Sequence, residues 1–312
     1  MTRFDLDGID AANPLGFLAA IGTLAAATRI WPTGAVRLGW ETRLGGWRPV
    51  LAVASDVDRS ELVEALDRSL RAMSDHPAFS APDNLSVPVE TFSEWAKAAQ
   101  GTARPSDRLY ADLVAAFGSE AVQSTNSGKP NGNNADTAFR HIGAGQQRFF
   151  ACVRSLVQDT RDIHLAKTLF EPWRYDDPLE KHSLRWDPND DVRRALRWND
   201  PSGDPERRRS GAMWGANRLA IEALPLFPTA PGGRGLETTG FLKDAGRPIR
   251  WTWPVWNGLL SIDAVRSVLA LRELQVTVPN RVVLARLGIV EVFRVYRVMQ
   301  DKYRNFSAAV PA

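Results

Sequence analysis

The run Asn13 to Trp31, NPLGFLAAIGTLAAATRIW, carries a single charge, at Arg29, and so must lie in a bilayer, be removed as a leader, or be buried in a folded core. A secretory leader calls for a basic flank, whereas here Arg3 is outnumbered by Asp5, Asp7 and Asp10. A spanning helix needs about twenty strongly apolar residues. This run is diluted by Gly16, Gly22, Thr23 and Thr28 and consists largely of alanine. Asn13 is a good N-cap and Pro14 a good first helical residue. Leu15, Leu18, Ile21 and Leu24 recur at helical spacing, and Gly16, Ala19, Ala20 and Gly22 allow close approach of neighbours. The expectation is a buried helix, with neither export nor a membrane partner.

A chain of 312 residues can build a large core around such a helix, as one large domain or two closely packed ones. The positive charge is almost all guanidinium: of 39 Lys and Arg residues only Lys97, Lys129, Lys167, Lys181, Lys243 and Lys302 are lysines. Arginine suits phosphate forks and stacking. An arginine-favouring genome explains the same composition, so the net charge of +3 points only weakly to nucleic acid. One cysteine, Cys152, excludes a disulfide within the chain and a cysteine metal site, and fits the cytoplasm. His76, His141, His164 and His182 lack any metal-binding spacing, so neither a metal nor another cofactor is expected.

Hydrophobic periodicity gives the order of elements. AVRLGWET and GWRPVLAV predict two strands around Gly45-Gly46. Leu62, Leu66, Leu70 and Met73 mark an amphipathic helix with acids early and arginines late. Shorter helices are expected near Val89–Ala99 and Asp107–Phe117. GSEAVQSTNSGKPNGNNADT reads as a loop. A helix then begins around Ala144 and buries Phe149, Phe150, Val153, Leu156 and Val157. Further on, the stretch containing MWGANRLAIEALPLF and the stretch SIDAVRSVLALREL read as helices, and IRWTWPVW and GIVEVFRVYRVMQ as strands. The fold class expected is α+β, mixed helices with antiparallel strands and no parallel doubly wound sheet. An N-terminal domain over 1–171 would carry a contact segment at 124–148, and a Trp/Arg-rich domain over 172–312 would pack with it as one unit or separately.

Recognisable catalytic motifs fail on inspection. GAGQQR at Gly143 begins like a dinucleotide fingerprint but ends in Arg148. Ser127-Gly128-Lys129-Pro130 puts Pro130 where a phosphate loop needs Ser or Thr. Asp187, Asp190 and Asp191 can clamp a divalent ion in a nuclease, although DPNDD is first of all turn chemistry. Nucleic-acid binding finds more support. Lys129, Asn131, Asn133 and Asn134 offer a cation and three amides on a glycine-permissive segment, leading through Arg140 and His141 to Gln146, Gln147 and Arg148 at a helix start. A solvated loop with an amide cap explains the same residues. Arg207, Arg208 and Arg209 can follow a phosphate backbone or form an ordinary wet surface. Trp-Arg pairs such as Arg185-Trp186, Arg197-Trp198 and Arg250-Trp251 can stack bases, or set a core face against a wet face.

The opening Asp10-Ala-Ala-Asn13-Pro14 entering GFLAAIGTLAA, followed by RLGWET and WRPVL, resembles the N-terminus of large-subunit-type Cas proteins of type I-U (also called I-G) CRISPR systems. Those proteins begin with a similar Asn-Pro helix and a hairpin bearing Trp. Thr137 to Phe150 similarly resembles their mid-chain Gly/Gln turn into a helix. The resemblance implies a non-catalytic subunit of a crRNA-guided surveillance complex, partnered by other Cas subunits, target double-stranded DNA and a helicase-nuclease. Such a subunit contacts the protospacer-adjacent motif and stabilises the opened strands, while guide pairing reads most of the sequence. A metal-dependent nuclease and a protein-only scaffold are the alternatives.

Overall fold

Asn13 starts the first helix, α1 (Pro14–Ile30), as its cap residue: its Oδ1 accepts from the backbone N–H of Leu15 at 2.9 Å and of Gly16 at 3.2 Å. Every residue from Pro14 to Ala27 is buried. The computed structural model describes residues 1–33, 35–80, 83–142, 148–179, 181–189, 211–233, 235–244, 246–300 and 303–312. Around α1 the first half of the chain places β1 (Thr2–Asp5), β2 (Arg37–Arg43), β3 (Gly46–Val53), α2 (Arg59–Arg71), α3 (Val89–Thr102), α4 (Leu109–Phe117), β4 (Gly118–Asn126), β5 (Lys129–Asp136), α5 (Phe149–Asp159) and α6 (Asp162–Phe170). The second half adds β6 (Asp177–Pro178), β7 (Gly211–Ala212), α7 (Trp214–Ala223), β8 (Thr229–Gly232), β9 (Gly235–Thr238), β10 (Phe241–Leu242) and β11 (Arg250–Trp256). It closes with α8 (Ile262–Leu269), α9 (Arg281–Arg286), β12 (Ile289–Gln300), β13 (Tyr303–Phe306) and β14 (Val310–Pro311). All the strand pairings among the described residues are antiparallel, so the fold is α+β without a doubly wound parallel sheet. Among the described residues no helix is long and apolar enough to cross a membrane.

Helix α1 is the central packing element. On one side it meets α7 so closely that a Cβ at Gly22 would lie 1.8 Å from the Leu219 carbonyl oxygen, which reserves that position for glycine. On the other side Phe17 stacks on Trp40 at 5.7 Å and touches the rings of Trp251, Trp253 and Trp256. The Trp253 indole N–H donates to the Ala11 carbonyl at 2.9 Å and that of Trp256 to the Leu38 carbonyl at 3.0 Å. These bonds tie the β1-β3-β2 sheet to the sheet built on β11 and β12. One buried cluster therefore takes residues from both sides of the expected boundary at 171–172, including Phe17 and Leu219.

The strand β11 differs from expectation in its outer face. Arg250 and Thr252 are buried along with Trp251, Trp253 and Trp256, so there is no wet face for arginine to occupy. The buried Arg250 guanidinium is paired, bonding Asp244 Oδ2 at 2.5 Å and the Gln275 carbonyl at 3.1 Å. Trp186 is likewise enclosed, with its indole N–H donating to the Phe139 carbonyl at 2.8 Å. Neither Trp186 nor Trp251 is open to a stacking base, and the Arg197-Trp198 pair lies outside the described residues.

Candidate nucleic-acid interface

The segment expected to be a loop is instead a projecting β-hairpin. β4 and β5 pair antiparallel around a two-residue turn in which Ser127 and Gly128 both have positive φ, +49° and +79°. This is the turn whose twist matches antiparallel strands, and Gly128 adopts it without a steric penalty. The tip from Thr125 to Gly132 is exposed, while the foot is packed. At that foot Gly118 passes so close to β5 that a Cβ would lie 2.5 Å from the Ala135 carbonyl oxygen. The register is irregular between Ser119 and Thr125, which bends the hairpin away from a flat ladder.

The proposed contact residues separate into two groups on this scaffold. Lys129 and Asn131 are exposed near the tip, and the Asn131 Oδ1 accepts from the Asn133 N–H at 3.0 Å. Asn134 is fully buried: its Oδ1 accepts from Val87 N–H at 2.9 Å and its Nδ2 donates to the Ala135 carbonyl at 3.1 Å. Its amide is committed to the foot of the hairpin and does not face solvent. Asn133 is half-buried and donates to Ser86 Oγ at 3.3 Å. Arg148 is exposed and pairs with Asp83 at 2.7 Å, immediately before α5. Gln146, Gln147, Arg207, Arg208 and Arg209 lie outside the described residues.

Arg140 belongs to a cluster that sequence order conceals. Its Nε approaches Asp136 Oδ2 at 2.8 Å, as a charge contact without hydrogen-bond alignment. From the hairpin of β12 and β13, Arg297 donates to the Ala138 carbonyl at 3.2 Å and Arg304 to the Arg140 carbonyl at 3.5 Å. Arg185 joins through its Nε bond to Asn305 Oδ1 at 2.9 Å, and its carbonyl contacts His141 Nδ1 at 3.0 Å. Burial pushes the Arg297 guanidinium down to about 10; neighbouring Arg304 pushes the same way, and Asp136 acts against them. Burial and then Arg140 lower Arg304 as well. Asp136 is the one carboxylate among the described residues that bears on both groups. The cluster sets the guanidiniums of Arg140, Arg297 and Arg304 against the single carboxylate of Asp136, a partly buried excess of positive charge that an anion would relieve.

The acids of the nuclease alternative fall only partly among the described residues. Asp187 is buried, and its Oδ1 accepts from the Asn189 N–H at 2.9 Å, as a turn residue does; Asp190 and Asp191 lie outside the described residues. Among the described residues no three His, Cys, Asp or Glu side chains gather as a cation site. Burial pushes the Cys152 thiol up to about 11, leaving it a packing residue without thiolate character at neutral pH. Comparison with family models, with curated proteins and with solved structures returns no match for this chain.

Proposed function

We propose that this chain is a non-catalytic, nucleic-acid-contacting subunit of a crRNA-guided antiviral surveillance complex, engaging target DNA near its protospacer-adjacent motif and holding the opened strands. The observation that supports this reading is the charge excess of Arg140, Arg297 and Arg304 over Asp136 at the foot of an exposed hairpin bearing Lys129 and Asn131. Guanidiniums in a partly buried setting bind phosphate bidentately, and the hairpin tip adds a cation and an amide that reach beyond the core. The family assignment rests on the Asn13-Pro14 helix, the Trp40 hairpin and the Thr137–Phe150 segment. The other Cas subunits, the guide RNA and the helicase-nuclease are its partners on this reading.

Fluorescence anisotropy with single-stranded and duplex DNA, for the purified chain and for a crRNA-loaded complex, tests the proposal. Binding should weaken when Arg297 or Lys129 is replaced by alanine. Equal affinity across wild type and both variants would reject the interface. Assembly into a complex with no nucleic-acid cross-links to this chain would favour a protein-only scaffold.

A further inference from the structure

Beside the foot of the hairpin a cleft of about 390 Å³ opens between α3, α4 and the segment from Pro77 to Val87. That size falls within the range of small-molecule sites. Its apolar wall is aromatic: Trp95 and Tyr110 are half-buried and Phe150 is buried. Trp95 is fixed in place, stacked on Phe117 at 5.7 Å and 7° and met edge-on by Phe92 at 5.5 Å and Phe150 at 5.7 Å. A rigid indole of this kind offers flat contact area at little entropic cost.

The rim supplies the hydrogen bonding. Asn84, Thr91 and Glu94 line the cleft and are exposed, and among the described residues none of these side chains has a hydrogen-bond or ion-pair partner. Aromatic rings below an amide, a hydroxyl and a carboxylate suit a planar heterocycle with polar edges better than an aliphatic chain. The cleft is also joined to the interface. Asp83, next to Asn84, pairs with Arg148 and Arg154, and its carbonyl accepts from the Phe150 N–H at 2.9 Å. Ser86, one residue beyond Leu85, bonds hairpin residue Asn133.

We propose that this cleft is a nucleobase pocket selective for guanine, receiving a base turned out of a strand that lies along the β4–β5 hairpin. The Glu94 carboxylate accepts from guanine N1–H and N2–H together, and the Asn84 amide donates to O6. Adenine presents an acceptor at N1 and cannot satisfy Glu94. The negative charge of Glu94 keeps phosphate out of the cleft and turns the sugar-phosphate toward Arg148. The inference rests on the nucleic-acid reading for the source of the base, because a free guanine nucleotide presents the same edge.

Titration calorimetry with GMP, AMP, CMP and dTMP tests the pocket. GMP should bind roughly tenfold or more tightly than AMP, the range expected of one bidentate base contact. E94Q and N84A, both at exposed positions, should erase that preference, and W95L should weaken all four nucleotides. Equal binding of GMP and AMP by wild type, or a preference retained in E94Q, overturns the pocket. An oligonucleotide carrying 6-thioguanine identifies the source: a photo-cross-link to Trp95 or Tyr110 is expected. GMP preference without that cross-link overturns the strand as donor. Should oligonucleotide binding depend on Arg297 while GMP and AMP bind alike, the pocket fails and the interface stands.

Discussion

Asn134 and Val87 exchange two hydrogen bonds: the Asn134 N–H donates to the Val87 carbonyl at 3.0 Å, and the Val87 N–H donates to Asn134 Oδ1 at 2.9 Å. The side chain thus fastens β5 to the segment at Val87, next to the isolated bridge between Pro88 and Asn133. Removing it strands the buried Val87 N–H, an omission that costs about 1–3 kcal/mol. Asn134→Ala should therefore lower the urea midpoint and speed hydrogen exchange in Ser119–Asp136. Lys129→Ala and Asn131→Ala, at the exposed tip, should leave the midpoint in place and weaken only DNA binding. An unchanged midpoint in Asn134→Ala would mean that water or a shifted backbone replaces the amide.

Arg297 and Arg304 make a prediction that distinguishes phosphate contact from general stability. Each arginine that neutralises a phosphate contributes roughly 0.7–0.9 to the slope of log affinity against log salt. Arg297→Ala and Arg304→Ala should each flatten that slope by about this amount. Exposed Arg272 or Arg286, replaced likewise, should leave the slope unchanged. Lost affinity with an unaltered slope would identify a structural role for the cluster.

Local signals decided which parts of this architecture were readable from sequence. The Asn13-Pro14 start, the early acids of α2 and the alternation of β12 all involve neighbours within a turn or a strand. The β2–β3 hairpin was readable too, although its turn falls at Leu44-Gly45, where both residues have positive φ, one position before the Gly45-Gly46 pair. The β4–β5 hairpin escaped because its tip projects from the core and carries no apolar alternation. Its sign was the Ser127-Gly128 pair flanked by residues able to extend. The arginine cluster escaped because Arg140 and Arg297 are brought together only by tertiary packing. The available clue was the pair of arginines, Arg294 and Arg297, inside the largely apolar strand β12. Arg294 is buried and bonded to the Val276 and Thr277 carbonyls, both at 2.8 Å, so the clue alone would not have separated structure from site.

Glu222 on α7 stands between Arg29 and Arg218, fully enclosed, with the Arg218 Nη1 donating to Oε1 at 2.7 Å and Arg29 pairing with Oε2. Burial opposes its charge, but Arg29 and then Arg218 more than offset that, holding the carboxyl below the usual range. Arg218 also donates to the Leu70 carbonyl at 3.0 Å, so the group joins α1, α2 and α7. Glu222→Gln leaves two guanidiniums without a counter-charge and should destabilise the fold by about 3–5 kcal/mol. The sign with pH follows from the depressed value. The contribution is complete above the unfolded carboxyl value of about 4.3 and is lost as pH falls through the lower folded value. Chemical unfolding at pH 7 and below pH 4 checks both parts; a variant as stable as wild type at pH 7 would remove the triad from the fold's essential supports.

His141 gives the fold a second dependence on pH, in a higher window. The ring is buried, contacts the Arg185 carbonyl through Nδ1 and lies 4.3 Å from the Phe306 ring. Burial, reinforced by Arg297, Arg304 and Arg185, pushes its value down to about 3, while the backbone contact acts the other way. The unfolded chain therefore binds the proton first. Stability from the neutral ring is complete above about 6.5 and falls toward pH 3, with a limiting slope of about 1.4 kcal/mol per pH unit. Burial also lowers His76 and His164, so the slope of wild type alone does not isolate His141. His141→Asn removes the titrating group and retains a donor for the Arg185 carbonyl. Between pH 6 and pH 5, wild type should lose roughly 1 kcal/mol more stability than this variant, measured by urea unfolding at each pH. Parallel losses would show that the folded state admits a protonated imidazole beside its arginines, and that the cluster is more open to solvent or counter-ions than its burial indicates.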